Sequence, residues 1–323
     1  MQSYSLIAPA KINLYLEIIG SRPDGYHELV MILQNVGLAD KIDLRPNGTD
    51  KFRLHCDHPQ VPLGENNLAC KAAKLMAEQF PDVFANYGGA DITIHKQIPV
   101  AAGLAGGSVN AAAVLVGLDL MWELGLTQSE LQELGARLGS DVPFCIAGGT
   151  ALATGRGEEL DPLPALNDLW VVLAKYRSLE VSTAWAYQTF RQQFGSSYVS
   201  DPESLEDRRQ RVHSVGMVGA IVRRDKAKIG QLLYNDLERA VLPAHPQVSQ
   251  LRQALQQPDV LGVMMSGSGP TVFALTQSEA QALQVRELVK AAISDPDLDL
   301  WVTSVSTTGI QLASPHPHPP EKP

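Results

Sequence analysis

Pro99-Val100-Ala101-Ala102-Gly103-Leu104-Ala105-Gly106-Gly107-Ser108-Val109-Asn110 is a glycine-broken turn between segments of opposite periodicity, and its reading decides the fold. Before it, ADITIHKQI (residues 90–98) alternates: Ala90, Ile92, Ile94 and Ile98 share one face of a strand that Pro99 ends. After it, Val114, Leu115, Leu118, Met121 and Leu124 recur at helical spacing, with Ser108 as the expected cap. A glycine turn that opens a helix is built like a phosphate cradle. The first backbone N–H groups have no intrahelical partner, the helix dipole favours an anion there, and glycines let a ligand approach the main chain. GK[ST] is absent, because Ser108 and Asn110 stand where it would be, so the loop is not that of an ordinary P-loop NTPase.

The 323 residues are enough for two ordinary domains, each with its own core. With 45% hydrophobic and 19% charged residues the composition is globular, and no apolar run approaches bilayer length. Lys11, Asn13 and Glu17 interrupt the N-terminal apolar stretch, so no secretion signal is read there and the cytoplasm is expected. Cys56, Cys70 and Cys145 lie far apart without CxxC spacing, which suits a reducing compartment and small core residues. A net charge of −9 argues against nucleic acid or an anionic membrane as a partner, so an anionic ligand must be met by a local cluster.

SLIAPAKINLYLEI (residues 5–18) sets Leu6, Ala8, Ala10, Ile12, Leu14, Leu16 and Ile18 on one strand face, and Lys11 and Asn13 together on the other. A solvated face is the ordinary meaning of such a pair. Gly20 to Gly25 is turn chemistry; Tyr26 and His27 follow it, either as structural residues or as a ring and an imidazole able to stack on a base and bond its edge. LVMILQNV comes next, then strands IDLR and FRLH around Pro46-Asn47-Gly48, then a helix capped by Asn66 or Asn67. Lys96 falls on the apolar parity of its strand and either snorkels to water or reaches a nucleotide in the adjacent loop. Thr127-Gln128-Ser129-Glu130 is a capping box. Asp141, between a helix end and an apolar run, is a turn or cap aspartate or a positioned base.

Acidic, proline-rich Glu158 to Asp168 is the expected domain boundary, dividing 1–165 from 166–312. The second half reads strand, helix from Ser182 or Thr183, a mobile polar insertion from Gln192 to Arg211, two more helices, then strand, strand, helix, strand. That order suits an open two-layer α+β sandwich. Ser266-Gly267-Ser268-Gly269-Pro270-Thr271 is a second glycine loop between two strands, a hairpin turn or a binding loop. Residues 313–323, rich in proline and histidine, cannot build a core and are expected to be disordered.

PAKINL, PVAAGLAGGSVNAA and SGSGPTVF, in that order, resemble the three motifs of the GHMP kinases, the superfamily of galactokinase, homoserine kinase and mevalonate kinase. PAKINLYLEIIGSRPDGYHEL with GSDVPF resembles the branch acting on 4-diphosphocytidyl-2-C-methyl-D-erythritol in the non-mevalonate isoprenoid pathway, DGYH being the discriminating element. The resemblance implies a two-domain α+β fold, with an N-terminal domain like ribosomal protein S5 domain 2 and a ferredoxin-like C-terminal domain, and ATP with Mg²⁺ in the cleft between them.

It also implies roles, residue by residue. Lys11 and Asp141 are catalytic. Pro99, Val100, Ala101, Ala102, Gly103, Leu104, Ala105, Gly106, Gly107, Ser108 and Val109 form the ATP phosphate loop, and Ser108 is a candidate metal ligand. Tyr26 and His27 recognise cytosine, Tyr187 is a second aromatic wall, and Asn13 and Thr183 are polar substrate contacts. Ala105 and Val109 depart from residues that are commonly Gly and Ser, and Leu33 stands where some relatives place an aromatic residue. Competing readings are another GHMP small-molecule kinase, such as a homoserine or mevalonate kinase, and a non-catalytic nucleotide-binding regulator. The pair Lys11 and Asp141 argues against the last.

Overall fold

In a computed structural model, which describes residues 2–199, 201, 203–205, 207 and 216–313, the first strands form a long antiparallel hairpin. Strand β1 (Tyr4–Ser21) pairs with β2 (His27–Pro46) through three register shifts, between Pro9 and Lys11, Asn13 and Tyr15, and Ile18 and Gly20. These irregularities re-aim the strand. The apolar row expected on one face therefore serves two cores: Leu6 to Leu14 join the first, and Leu16 and Ile18 the second. Lys11 and Asn13 sit where the row changes allegiance, and both are buried. The solvated-face reading fails for that reason.

IDLR is the far end of β2, and FRLH (residues 52–55) falls largely within β3 (Arg53–Cys56), which pairs in parallel with β4 (Ala90–His95), not across a turn with IDLR. Strand β4 lies between them, antiparallel to β2. Helix α1 (Leu68–Gln79) is capped by Asn67, whose side chain accepts from Ala69 N–H, and α2 (Pro81–Tyr87) follows. Helix α3 (Gly106–Trp122) is apolar on nearly every side and lies against β1 and β2, with α1 packed on it. The capping box of α4 (Gln128–Ala136) forms as expected, with Thr127 and Glu130 exchanging bonds. The apolar run after Asp141 is helix α5 (Val142–Ala147), and β5 (Thr150–Thr154) pairs with β2 and β6 (Glu159–Pro162).

Beyond Glu158–Asp168 the chain builds a second sheet from β7 (Trp170–Tyr176), β9 (Gly262–Met265), β10 (Val272–Thr276) and β11 (Leu298–Ser304). Its order, β11-β7-β10-β9, is antiparallel throughout and matches a βαββαβ unit of ferredoxin type. Its helices are α6 (Thr183–Phe194), α7 (Met217–Val222), α8 (Lys226–Gln231), α9 (Glu238–Ala244), α10 (Pro246–Leu255) and α11 (Glu279–Ala292). Two short strands return to the first sheet: β8 (Tyr234–Asn235) joins β1 in parallel and β12 (Gln311–Leu312) joins it antiparallel.

The expected insertion at 192–211 begins as the last turn of α6, and Val199 N–H bonds Ile19 O at 3.0 Å. Residues 200, 202, 206 and 208–211 of it, and the tail from 314, lie outside the described residues. Among the described residues no helix is long and apolar enough to cross a membrane. All three cysteines are free, with Cys145 buried.

Candidate active site

A cleft of about 980 Å³ runs between the two sheets' ends, and the glycine loop forms one wall of it. Helix α3 starts at Gly106, and its cap position is Ala105, at φ 59°, with no side-chain cap bond. Ser108 therefore lies inside the first turn and does not cap it, contrary to the sequence reading. An L-residue in the left-handed region costs about 1–2 kcal/mol, so the alanine that departs from the family pattern sits at a strained position. Val109 also departs from expectation. Its side chain is fully buried in the first core and its N–H bonds Ala105 O at 2.9 Å, because by that point the helix is already formed. Pro99 through Ser108 line the cleft, and Val109 does not.

Neighbouring segments hold the loop from two sides, one through backbone and one through a side chain. Lys11 N–H donates to Leu104 O at 3.3 Å, and Ser266 Oγ donates to Gly103 O at 3.0 Å. Gly103, at φ 72°, admits no side chain, since a Cβ there would lie 2.2 Å from Ser266 O. The second glycine loop is thus both things its sequence allowed. It is the hairpin between β9 and β10, and its Gly267 and Ser268 line the cleft.

At the meeting of the loops, Lys11 Nζ donates to Asn13 Oδ1 at 2.7 Å and stands 3.7 Å from Asp141 Oδ2. Asn13 Nδ2 in turn donates to Met31 Sδ at 3.4 Å. The lysine side chain is 6% exposed and that of Asp141 29%. Asp141 lies in the turn that leads into α5 and occupies its cap position, as one reading of the sequence had it, but its side chain makes no cap bond and the carboxylate is left to the cleft. Beneath it Cys145 is fully buried, and burial pushes its thiol well above the usual range, so it stays protonated.

The other end of the cleft is aromatic. His27 and Tyr187 face each other with ring centroids 5.0 Å apart, and Tyr198 meets His27 edge-on at 5.8 Å. His27 Nε2 is buried with no partner among the described residues. Burial, aided by the charge of Arg191, pushes the His27 pKa down to about 4, so the ring is neutral near pH 7 and offers one donor and one acceptor. Tyr26 is 55% exposed, and the Arg156 guanidinium lies 5.0 Å over its ring. Thr183 shares a hydrogen bond of 2.9 Å with Ser268.

Lys11, Asn13, Tyr26, His27, Lys96, Asp141, Thr183 and Tyr187 all line the cleft. Lys96 does not snorkel: its ammonium is bonded to the carboxylate of Asp40, and neither side chain is more than 4% exposed. Leu33 does not itself line the cleft: it is fully buried in the second core, opposite the cleft-lining Asn13 on the neighbouring strand. Arg156, Arg191, Asn67 and Ser268 were not singled out as site residues, yet all line the cleft. Arg191 had a signal, since Thr183, Tyr187 and Arg191 recur every four residues along one face of α6.

Comparison with known proteins agrees with this geometry. The family model described as GHMP kinases N terminal domain matches residues 67–149, and that described as GHMP kinases C terminal matches 217–295. A relative from Nostoc punctiforme, called 4-diphosphocytidyl-2-C-methyl-D-erythritol kinase, is 65% identical over 315 residues, covering 97% of this chain and 99% of its own. One of the same name from Trichormus variabilis is 63% identical over 313 residues, covering 97% and 99%. A crystal structure of 4-(cytidine 5′-diphospho)-2C-methyl-D-erythritol kinase superposes with a TM-score of 0.70 at 30% identity, covering 93% of this chain and 98% of that one. The homoserine kinase of Cytophaga hutchinsonii, at TM-score 0.75 and 19% identity, covers 97% and 98% and shares the fold.

Proposed function

The chain belongs to the 4-diphosphocytidyl-2-C-methyl-D-erythritol kinase family of GHMP kinases, and we propose that it transfers the γ-phosphoryl group of ATP to the 2-hydroxyl of that substrate in the non-mevalonate isoprenoid pathway. The observation that carries this reading is the approach of Lys11 to Asp141, 3.7 Å apart, between a phosphate-type loop and an aromatic end.

Phosphoryl transfer asks a protein for positioning and charge stabilisation. The substrate 2-oxygen forms a bond to the γ-phosphorus while the bond from that phosphorus to the β,γ-bridging oxygen breaks and ADP departs. Asp141 accepts the hydroxyl proton. Lys11, oriented by Asn13, stabilises the charge on the transferring group. The amides at Gly106, Gly107 and Ser108, at the start of α3, hold the ATP phosphates, and Val61, Pro62 and Leu68 supply an apolar wall for its base. Lys96 lies beneath the loop.

At the other end Tyr187 and Tyr26 flank the cytosine, and the neutral His27 bonds its edge. Thr183 and Asn13 face the sugar alcohol. Mg²⁺ fits the donor set, since Ser108 offers a hydroxyl and Asp141 an uncapped carboxylate to the cleft. When bound, the ion neutralises charge on the phosphate oxygens. Three free cysteines suit the reducing cytoplasm that we propose as its compartment. We keep 1–165 and 166–312 as the two domains; the family models fall one on either side of that boundary.

The test is phosphorus NMR of the product formed from ATP and the cytidine substrate. The reading expects a new phosphomonoester resonance coupled to the 2-position. A product phosphorylated elsewhere, or none, contradicts it.

A further inference from the structure

Asp40, on β2, is fully buried and takes four hydrogen bonds on its two carboxylate oxygens. One oxygen accepts the backbone N–H groups of Gln97, at 2.8 Å, and Ile98, at 2.9 Å. The other accepts the Lys96 ammonium and Asn110 Nδ2, the latter at 2.8 Å. These donors are not scattered. Lys96, Gln97 and Ile98 are the chain entering the glycine loop, and Asn110 is the fifth residue of the helix leaving it. One carboxylate therefore ties both flanks of the loop to the central hairpin. Lys96 Nζ also packs against the loop itself, 3.2 Å from where a Cβ on Gly106 would be.

We propose that Asp40, Lys96 and Asn110 form a buried, charge-neutral brace that positions the phosphate loop, so that Lys96 serves the nucleotide through loop geometry and not as a free cation. The inference rests on the reading of this loop as the ATP site. A buried ion pair with every bond satisfied rigidifies what it holds, while loss of one member leaves an uncompensated charge. Here the uncompensated group would lie directly under a polyanion. Removing Lys96 alone would leave the buried Asp40 carboxylate with its three other hydrogen bonds but no counter-charge beneath the loop, and removing both charges would restore neutrality. Lys96 and Asp40 are thus positioning residues, distinct from Lys11, whose ammonium reaches the reacting end of the cleft.

This makes a charge-balance experiment decisive. The dissociation constant for ATP is measured by calorimetry for the parent, Lys96→Met, Asp40→Asn and the double variant, with the KM of the cytidine substrate and a thermal midpoint for each. Asn at 40 keeps an oxygen for the two backbone N–H groups. Parent binding is measured first; its absence would remove the reading of the loop before any variant is considered. Lys96→Met is expected to weaken ATP binding about tenfold or more, and the double variant to return within about threefold of the parent. The KM for the cytidine substrate stays unchanged in both. A double variant that binds ATP as weakly as Lys96→Met would mean direct contact and overturn the proposal, as would parent-like ATP affinity in every folded variant. Should the charge variants fail to fold, Asn110→Leu removes one donor and keeps both charges. It is expected to weaken ATP binding with the cytidine KM unchanged, and parent-like affinity there overturns the brace.

Discussion

The two ends of the cleft are built on different principles. At the phosphate end almost every charged or polar group is committed before any ligand arrives: Lys11 to Asn13, Asn13 to Met31, Lys96 to Asp40, and Gly103 to Ser266. At the aromatic end hydrogen-bonding capacity is left open, with Tyr26 more than half exposed and His27 Nε2 buried with no hydrogen-bond partner among the described residues. Phosphoryl transfer rewards preorganised charge, because the barrier is lowered by dipoles that need not move. Recognition of a polar base rewards the opposite, a donor or acceptor left open until the right ligand pairs it.

Substitutions at the two ends should therefore fail in different ways. The largest effect is expected for Asp141→Asn, a fall in kcat of about 10²–10⁴-fold with ATP and cytidine affinities nearly retained, read by steady-state kinetics beside calorimetry. A defect confined to affinity would erase the distinction between the ends. His27→Ala is expected to raise the KM of the cytidine substrate about tenfold to a hundredfold, with ATP affinity unchanged. An equal loss for ATP would show that the ends are not independent.

The smallest effect is on pH dependence. Burial and Arg191 hold the His27 pKa near 4 in the folded chain, against 6.5 for an ordinary histidine. Above pH 6.5 both states are neutral and the residue contributes nothing to the slope. As pH falls from 6.5 towards 4 the unfolded chain takes up a proton that the folded chain does not, so stability declines across that window. Thermal midpoints of the parent and His27→Gln should diverge only there, with the parent losing more as pH falls; parallel curves would mean that the ring is not held neutral.

Much of this was legible in the sequence, and the failures have physical reasons. The strand, glycine turn and helix around 90–122 follow from periodicity, and the order of strands and helices after residue 169 defines the second sheet. Periodicity also put Lys11 and Asn13 side by side. It could not show that bulges in β1 would bury them, because a register shift is set by the partner strand. FRLH, residues 52–55, reads as the return of a hairpin but is not one, since local turn chemistry at Pro46-Asn47-Gly48 says nothing of the parallel partner β4. Ser108 looked like a cap because it precedes the apolar run, yet the helix starts two residues earlier, from a left-handed alanine. Lys96 on an apolar parity signalled something unusual. Its partner, Asp40, lies 56 residues away and only the fold brings it near.

The most direct test of a cleft whose phosphate end drives transfer and whose base end chooses the substrate is kcat/KM for the cytidine compound, homoserine and mevalonate under one set of conditions with saturating ATP. The cytidine compound should be the only one turned over above background, and His27→Ala should reduce its kcat/KM through KM. Comparable turnover of homoserine or mevalonate, or a cytidine reaction indifferent to His27, would contradict it.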